Sequence, residues 1–528
     1  MRGNRACAAV AAVTIATVVG ACQRAEAPPP APARLSITVT DGPGGPPIAA
    51  RVLFWDGDQP VRFGTAELYG GARQVAGACD LGPGVIGTWH GLLLAYGTAE
   101  LPVGGGDTCE PSPALPLGRY RVWAWRGFEY ERWEGEVVIG AGQAVTLTIP
   151  LVRAWDADGA LAADLHVHAA RSNDSRLPDR VRVISQLASG IEVTALSDHA
   201  SAGDLDQAIT ALGLDGAIAS IASNEAGNDV VHLGVYPVPV DPAAPRGGSP
   251  PAEEFATWTP AAMMTWGHGL PGRPLVQVNH PRFRVYALFD NAGWDGVRWP
   301  PPFSLDFDAV EVLSGHTAFN APGDRRLDAG VRDFYTLAAH GVKVVGVGAS
   351  DVHHLNGVLD GVARTYVLDQ GPIAHFDEAA FVGALRARRA VATTGPWLDV
   401  EVVDAGGGPS AGPGQALRAP SGRVRIDVEL AQASWVHATE LRVRVGGTIV
   451  RTEAIPPGAT RHRVTVDVPV TAPTWIGVDA GGDEPLPIEM TGTYQVEKQR
   501  PGVVPYAIVN PIWIEDAPEA RPVPAPDP

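Results

Sequence analysis

Residues 164–168 read Asp-Leu-His-Val-His at the end of an apolar run. In a strand, side chains at i and i+2 share a face, so His166 and His168 lie on one side while Leu165 and Val167 pack on the other. Two imidazoles so placed converge on one point, the arrangement that metal sites use. An isolated His-x-His pair is also common in strands that bind nothing, so the remaining strands decide. Apolar runs end in Asp198 and His199 ("TALSDH"), Glu225 ("IASNE"), His280 ("VQVNH"), and Asp351 and His353 ("VGVGASDVH"), and "VVHLG" carries His232. Most of the 14 histidines fall between residues 154 and 398. Imidazole and carboxylate recurring where strands stop is the donor set of a mixed metal site, suited to Zn, Mn or Fe.

Such a site needs elements whose ends share one face. From about residue 154, apolar strands alternate with helical patterns: "ALAADLHVH" then "PDRVRVISQLASG", "IEVTALSDH" then "GDLDQAITALG", and later "DRRLDAGVRDFYTLAAHG" and "DEAAFVGALRAR". This alternation predicts an α/β region with a parallel sheet, best a distorted α/β barrel, whose strand C-termini gather distant residues into one pocket. On either side the helical period is absent. Short β-branched runs broken by Gly, Pro and Asp-Gly predict an antiparallel β-sandwich over 35–153 and a second β domain over 399–516. Residues 23–34 are a Pro/Ala linker, and the Pro-rich stretch 517–528 reads as a disordered tail.

The 528 residues exceed what one core usually serves, so several domains are expected. With 58 acidic against 40 basic residues, the net charge of -18 disfavours nonspecific nucleic-acid binding. Arg2 and Arg5 precede an apolar stretch over residues 6–21 that reads as an export leader. Its end, "VVGAC", resembles a bacterial lipobox that closes a lipoprotein leader over residues 1–22, which implies cleavage before Cys22 and lipid attachment to its thiol. The chain is then expected to be lipid-anchored in the cell envelope, on the periplasmic face or at the outer membrane. A plain signal peptide with a chance Cys is the other reading. Beyond the leader only Cys79 and Cys109 remain. In an exported chain they form a disulfide most simply, or else stay as two buried thiols.

The ordered motifs "DLHVH", "SDH", "NE", "NH" and "SDVH" resemble the PHP (polymerase and histidinol phosphatase) superfamily of metal-dependent hydrolases. "QVNHPR", "VGVGASDVHH" and "ALRARRAVATTGPW" narrow the resemblance to its CehA/McbA-like branch, over roughly residues 160–398. It implies a seven-stranded (β/α) barrel holding two or three divalent ions. By this resemblance His166, His168, Asp174, His199, Glu225, His232, His280, Asp351 and His353 are the ligands, with Glu225 bridging and Asp351 and His353 the closing pair. Asp198 either ligates or orients His199. At 174 this chain has Asp where the family pattern has His, which preserves ligation and alters metal preference.

The implied reaction uses a water shared by two ions, its pKa lowered from about 15.7 towards 7, to attack a phosphorus or carbonyl centre. Glu225, Asp351 and Arg282 are then the catalytic candidates. Arg171 and Arg282 are candidates to grip an anionic substrate, each equally well read as a salt bridge to a nearby Asp. His316 and His354 are candidates to touch the substrate and protonate the leaving group. The substrate class is a small phosphoester, or the carbamate and aryl esters of the nearer branch. A serine hydrolase is disfavoured: the single G-x-S-x-G, "GPSAG" at 408–412, lies in a Gly/Pro loop. The other class is a non-catalytic metal-binding envelope lipoprotein that binds a partner through its β domains. Eight or nine ligands exceed what one closed structural ion requires, which favours the enzyme.

Overall fold

The computed structural model describes residues 33–63, 78–103, 115–283, 285–296, 299, 303–471 and 473–516; Cys22 with the rest of the leader, Cys109 and the tail 517–528 lie outside them. Strand Ala33–Asp41 alternates in burial, with Leu35, Ile37 and Val39 turned inward. It lies between Thr98–Val103, antiparallel, and Ala144–Leu151, parallel. This three-stranded sheet shares one apolar core with a seven-stranded sheet centred on Ala50–Asp56 and Gly118–Trp125. At the end of the larger sheet Cys79 is buried and disulfide-bonded.

The middle of the chain departs from an uninterrupted parallel sheet. Ala160–Val167, Val193–Leu196 and Ala219–Ala222 run parallel. So do Leu275–Val278, Ala309–Ser314 and Val345–Ala349. Between these triplets Asn224–Gly227 and His232–Tyr236 form an antiparallel hairpin. The four residues 228–231 are too few for the crossover of about a dozen residues that a parallel pair needs, so the chain must turn back. The triplets belong to two different sheets, of eleven and five strands, which meet through isolated bridges between Val167 and Val352 and between His199 and Glu225.

Helices Asp179–Ala188, Asp206–Ala211, Arg326–Ala339 and Glu378–Arg386 occupy the segments with helical period. Helix Pro260–Gly269 was not legible, because "PAAMMTWGHG" is apolar on most faces; Thr259 caps it by accepting from the Ala262 amide. Trp397–Asp404 opens a separate four-stranded sheet, but residue 398 does not close the eleven-stranded one. Ala390–Thr393 pairs with Tyr506–Val509, and that strand continues through Thr474–Gly481 and Glu440–Val445 to Thr448–Ala454. The C-terminal strands thus extend the sheet that carries His166. The described chain is mixed α/β and strand-rich.

A buried charge cluster ties the N-terminal sheet to this body. Asp360 accepts from Arg51 Nη2 at 3.0 Å and from Arg182 Nη1 at 2.6 Å, and all three side chains are at most 1% exposed. Arg182 also donates Nε to the His168 carbonyl at 2.9 Å and Nη2 to the Val352 carbonyl at 3.3 Å. One guanidinium therefore holds together the ends of strands Ala160–Val167 and Val345–Ala349, where the candidate ligands begin.

Candidate metal centre

His166 and His168 leave the end of strand Ala160–Val167 fully buried. On the same strand the Asp164 carboxylate accepts from the Ser350 amide at 2.9 Å and from the Ser350 hydroxyl and the Gly361 amide, fixing the turn that carries Asp351. His280 (φ 30°) and Asp351 (φ 56°) both adopt left-handed backbone conformations, which non-glycine residues rarely take outside functional turns.

Glu225 lies at the centre, 1% exposed. Its Oε1 is 3.1 Å from His166 Nε2, 3.2 Å from His232 Nδ1 and 3.6 Å from His280 Nε2. Its Oε2 is 3.0 Å from His199 Nδ1 and 3.4 Å from His168 Nε2. Asp351 Oδ1 is 3.2 Å from His166 Nε2 and 3.4 Å from His168 Nε2. Asp174 Oδ2 lies 3.1 Å from His199 Nε2 and 3.0 Å from His353 Nε2. The donor atoms fall into five overlapping groups, each close enough to surround a cation: His168/Asp174/His199/His353, His166/Glu225/His280, His166/His168/Asp351, His199/Glu225/His232 and His316/Asp351/His353.

The hydrogen bonds behind the imidazoles test whether a cation fits. His166 Nδ1 donates to Glu311 Oε1 at 2.6 Å, since a carboxylate only accepts, and Nε2 is the atom turned to the centre. Burial opposes its charged form, but Asp351, Glu225 and Glu311 hold this imidazole well above its usual range, so without a cation Nε2 carries a proton as well. The Ser172 hydroxyl donates to Asp174 Oδ1 at 2.8 Å and so accepts from His168 Nδ1 at 3.1 Å, which leaves the neutral His168 with its lone pair on Nε2. These two Nε2 atoms face each other at 3.0 Å, an approach that one shared proton or one bound cation bridges. Glu225 Oε2 and the Nδ1 atoms of His232, His280 and His316 are buried without a hydrogen bond. Converging imidazole nitrogens beside carboxylates, with a buried carboxylate oxygen that has no hydrogen-bond donor, are the chemistry of a divalent-cation site.

Electrostatics point the same way. Burial, then neighbouring His353, pushes His168 down to about 3, so it is neutral and able to ligate. Burial likewise pushes His316 down to about 4. Burial opposes ionisation of Glu225 and Asp351, but the histidines around them, His166 first, overcome it and hold both well below the usual carboxylate range. Asp198 behaves differently: burial pushes it up to about 6, and it accepts from the Ala169 amide at 2.7 Å. It belongs to none of the ligand groups and instead ties the backbone just after His168 to the strand end that carries His199.

All nine residues expected to ligate are brought together, and His316 joins them. His316 is 2% exposed, with Nε2 donating to the Asp351 carbonyl at 3.0 Å, so it belongs to a ligand group and is not open to substrate as expected. His354 stands half-buried beside His353, their ring centroids 6.1 Å apart. Arg282 does not reach the centre. Its guanidinium pairs with Asp333, with Asp290 at 3.2 Å and with the Trp294 carbonyl at 2.9 Å, so the salt-bridge reading replaces the catalytic and substrate-gripping one. Arg171 pairs with Asp179 at 3.0 Å and lines an 820 Å³ cavity with Asp204 and Arg246. The cavity at the cluster is a different one, about 360 Å³, bounded by Asp174, His199, Glu225, His232, Asn228 and Tyr286. Sequence reasoning missed Glu311 and Asn279, whose Nδ2 donates to Glu225 Oε1 at 2.8 Å. A lone Glu inside the apolar run "AVEVL" was the available signal for Glu311.

No protein-family model and no curated protein matches the sequence. Among solved structures, the chain is similar to a two-domain protein from Bacteroides vulgatus ATCC 8482 containing a predicted PHP-like metal-dependent phosphoesterase. The TM-score is 0.35 at 14% identity, covering 62% of this chain and 92% of that one, a similarity too slight to define fold or activity.

Proposed function

We propose that this chain is a metal-dependent hydrolase of the PHP superfamily, acting on a small phosphoester or on the carbamate and aryl esters of the CehA/McbA-like branch. The observation that carries this reading is the convergence of the His166 and His168 Nε2 atoms, 3.0 Å apart, on the Glu225 and Asp351 carboxylates. Two or three divalent ions held by these groups would supply Lewis acidity and an acidified water. Glu311, Ser172 and Asn279 fix the imidazole tautomers and the Glu225 carboxylate, so the ligand atoms are preorganised. Tyr286 stacks on His232 with ring centroids 4.6 Å apart and forms one wall of the substrate cavity. His354, the half-buried histidine beside this cluster, is assigned the proton for the leaving group. In this reading the two parallel triplets and the intervening hairpin, with Ala219–Ala222 and Asn224–Gly227 counted as one strand broken at Ser223, are one distorted seven-stranded barrel between β-sandwich domains. The chain is exported and lipid-anchored through Cys22, a reading supported by its leader and by the disulfide at Cys79.

The test is metal content of soluble protein lacking residues 1–22, paired with turnover of bis-p-nitrophenyl phosphate, p-nitrophenyl phosphate and 1-naphthyl N-methylcarbamate. Two or three ions per chain with turnover support the proposal, and the preferred compound selects the ester class. One ion or none, without turnover after loading with Mn or Zn, overturns it in favour of a binding protein.

A further inference from the structure

A second polar cavity, about 350 Å³, lies between one face of helix Arg326–Ala339 and the C-terminal strands, and shares no lining residue with the metal-centre cavity. Asp328, Arg332, Tyr335 and Thr336 bound it on the helix side, and Arg442 and Arg444 on the strand side. Three guanidiniums and one carboxylate line it, and the acids that pair with those guanidiniums, Asp479, Glu440 and Asp333, are not among its lining residues. That carboxylate, Asp328, is itself paired with Arg325.

The floor of the cavity is built to orient Arg444. Asp479, fully buried, accepts from Arg442 Nε at 2.6 Å, Arg444 Nε at 2.8 Å, Tyr335 Oη at 3.2 Å and Tyr506 Oη at 2.7 Å. Arg442 spends its remaining nitrogens on Glu440, at 3.1 Å, and on Tyr506 Oη, at 3.2 Å. Arg444 does not: its guanidinium lies 4.9 Å from the Tyr335 ring centroid, and its two Nη atoms have no protein partner among the described residues. A planar fork, held by its Nε and by an aromatic face, with both terminal nitrogens free, is preorganised for two oxygens of one oxyanion. Arg332, 65% exposed on the opposite wall, adds a second guanidinium, and its neighbour Asp333 is shared with Arg282.

We infer that this cavity binds a phosphate group, gripped in bidentate fashion by Arg444 and closed over by Arg332. Two guanidiniums on opposite walls match a tetrahedral oxyanion, which offers oxygens in both directions. The phosphate is either free or carried on an organic monoester. Crystals of the chain lacking residues 1–22, soaked in tungstate, locate tetrahedral oxyanions by anomalous scattering. A peak between Arg444 and Arg332 that disappears in Arg444→Gln, while any peak at the metal centre persists, supports the site. Calorimetry at constant ionic strength with inorganic phosphate and with glucose 6-phosphate should show binding at least tenfold weaker in Arg444→Gln. The exposed Arg332→Gln, which leaves the buried Asp333 still paired with Arg282, should weaken it several-fold. Tighter binding of glucose 6-phosphate assigns the site to a monoester; equal or weaker binding assigns it to free phosphate. Tungstate at the metal centre alone, or wild-type affinity in both variants, overturns the inference.

Discussion

Glu311 Oε1 accepts the Nδ1 proton of His166 at 2.6 Å, and its Oε2 accepts from the His280 amide at 2.7 Å. One carboxylate thus fixes the tautomer of one candidate ligand and the backbone of another. Carboxylates behind ligating histidines typically contribute 10- to 100-fold in metal affinity. Glu311→Gln keeps the shape but loses the charge, and should weaken metal retention by about that factor in competition with a chelator. Unchanged retention would remove Glu311 from the site.

Glu225 approaches five imidazoles and takes part in two of the candidate ion groups. Glu225→Ala should therefore lower turnover on the order of a hundredfold or more and release at least one ion per chain, while circular dichroism stays native. Elemental analysis beside the activity assay checks both. Full metal content in this variant would contradict the bridging role.

Asp360 is the sole carboxylate paired with both Arg51 and Arg182 among the described ion pairs. Asp360→Asn leaves two buried guanidiniums without an anion, which costs about 3–5 kcal/mol. Denaturant unfolding should register that loss. Because Arg182 also holds the His168 and Val352 carbonyls, metal retention should fall with it.

His90 is 2% exposed, its Nε2 donating to the Asn356 carbonyl at 3.0 Å. Burial pushes it down from 6.5 to about 3. Its contribution to stability is complete above 6.5 and falls as pH drops towards about 3, because there the unfolded chain binds a proton that the folded chain refuses. His90→Gln should flatten the acid dependence of unfolding free energy by up to about 1.4 kcal/mol per pH unit between pH 6 and 4. Parallel curves for wild type and variant in urea titrations across this range would show that His90 does not carry a proton deficit.

Period and chain order are local properties, and what depends on them was legible in the amino-acid sequence. Two-residue alternation marked strand Ala33–Asp41, helical period marked helix Arg326–Ala339, and His, Asp and Glu in the apolar runs marked eight residues that do come together, the family resemblance adding Asp174. The brevity of residues 228–231 even carried the reversal that interrupts the parallel strands, although the alternation around it suggested continuity. Pairings between distant residues were decided by tertiary structure alone. Glu311 lies 145 residues from His166, and Arg182 lies 178 from Asp360; no local pattern records such a partner. Arg282 follows a candidate ligand in sequence, yet Asp333 and Asp290 claim its guanidinium, since a half-buried cation takes the nearest anion that packing offers. Sheet pairing across residue 398 has the same origin: strand order is set by which edges meet when the cores form, and the composition of each strand is compatible with several neighbours.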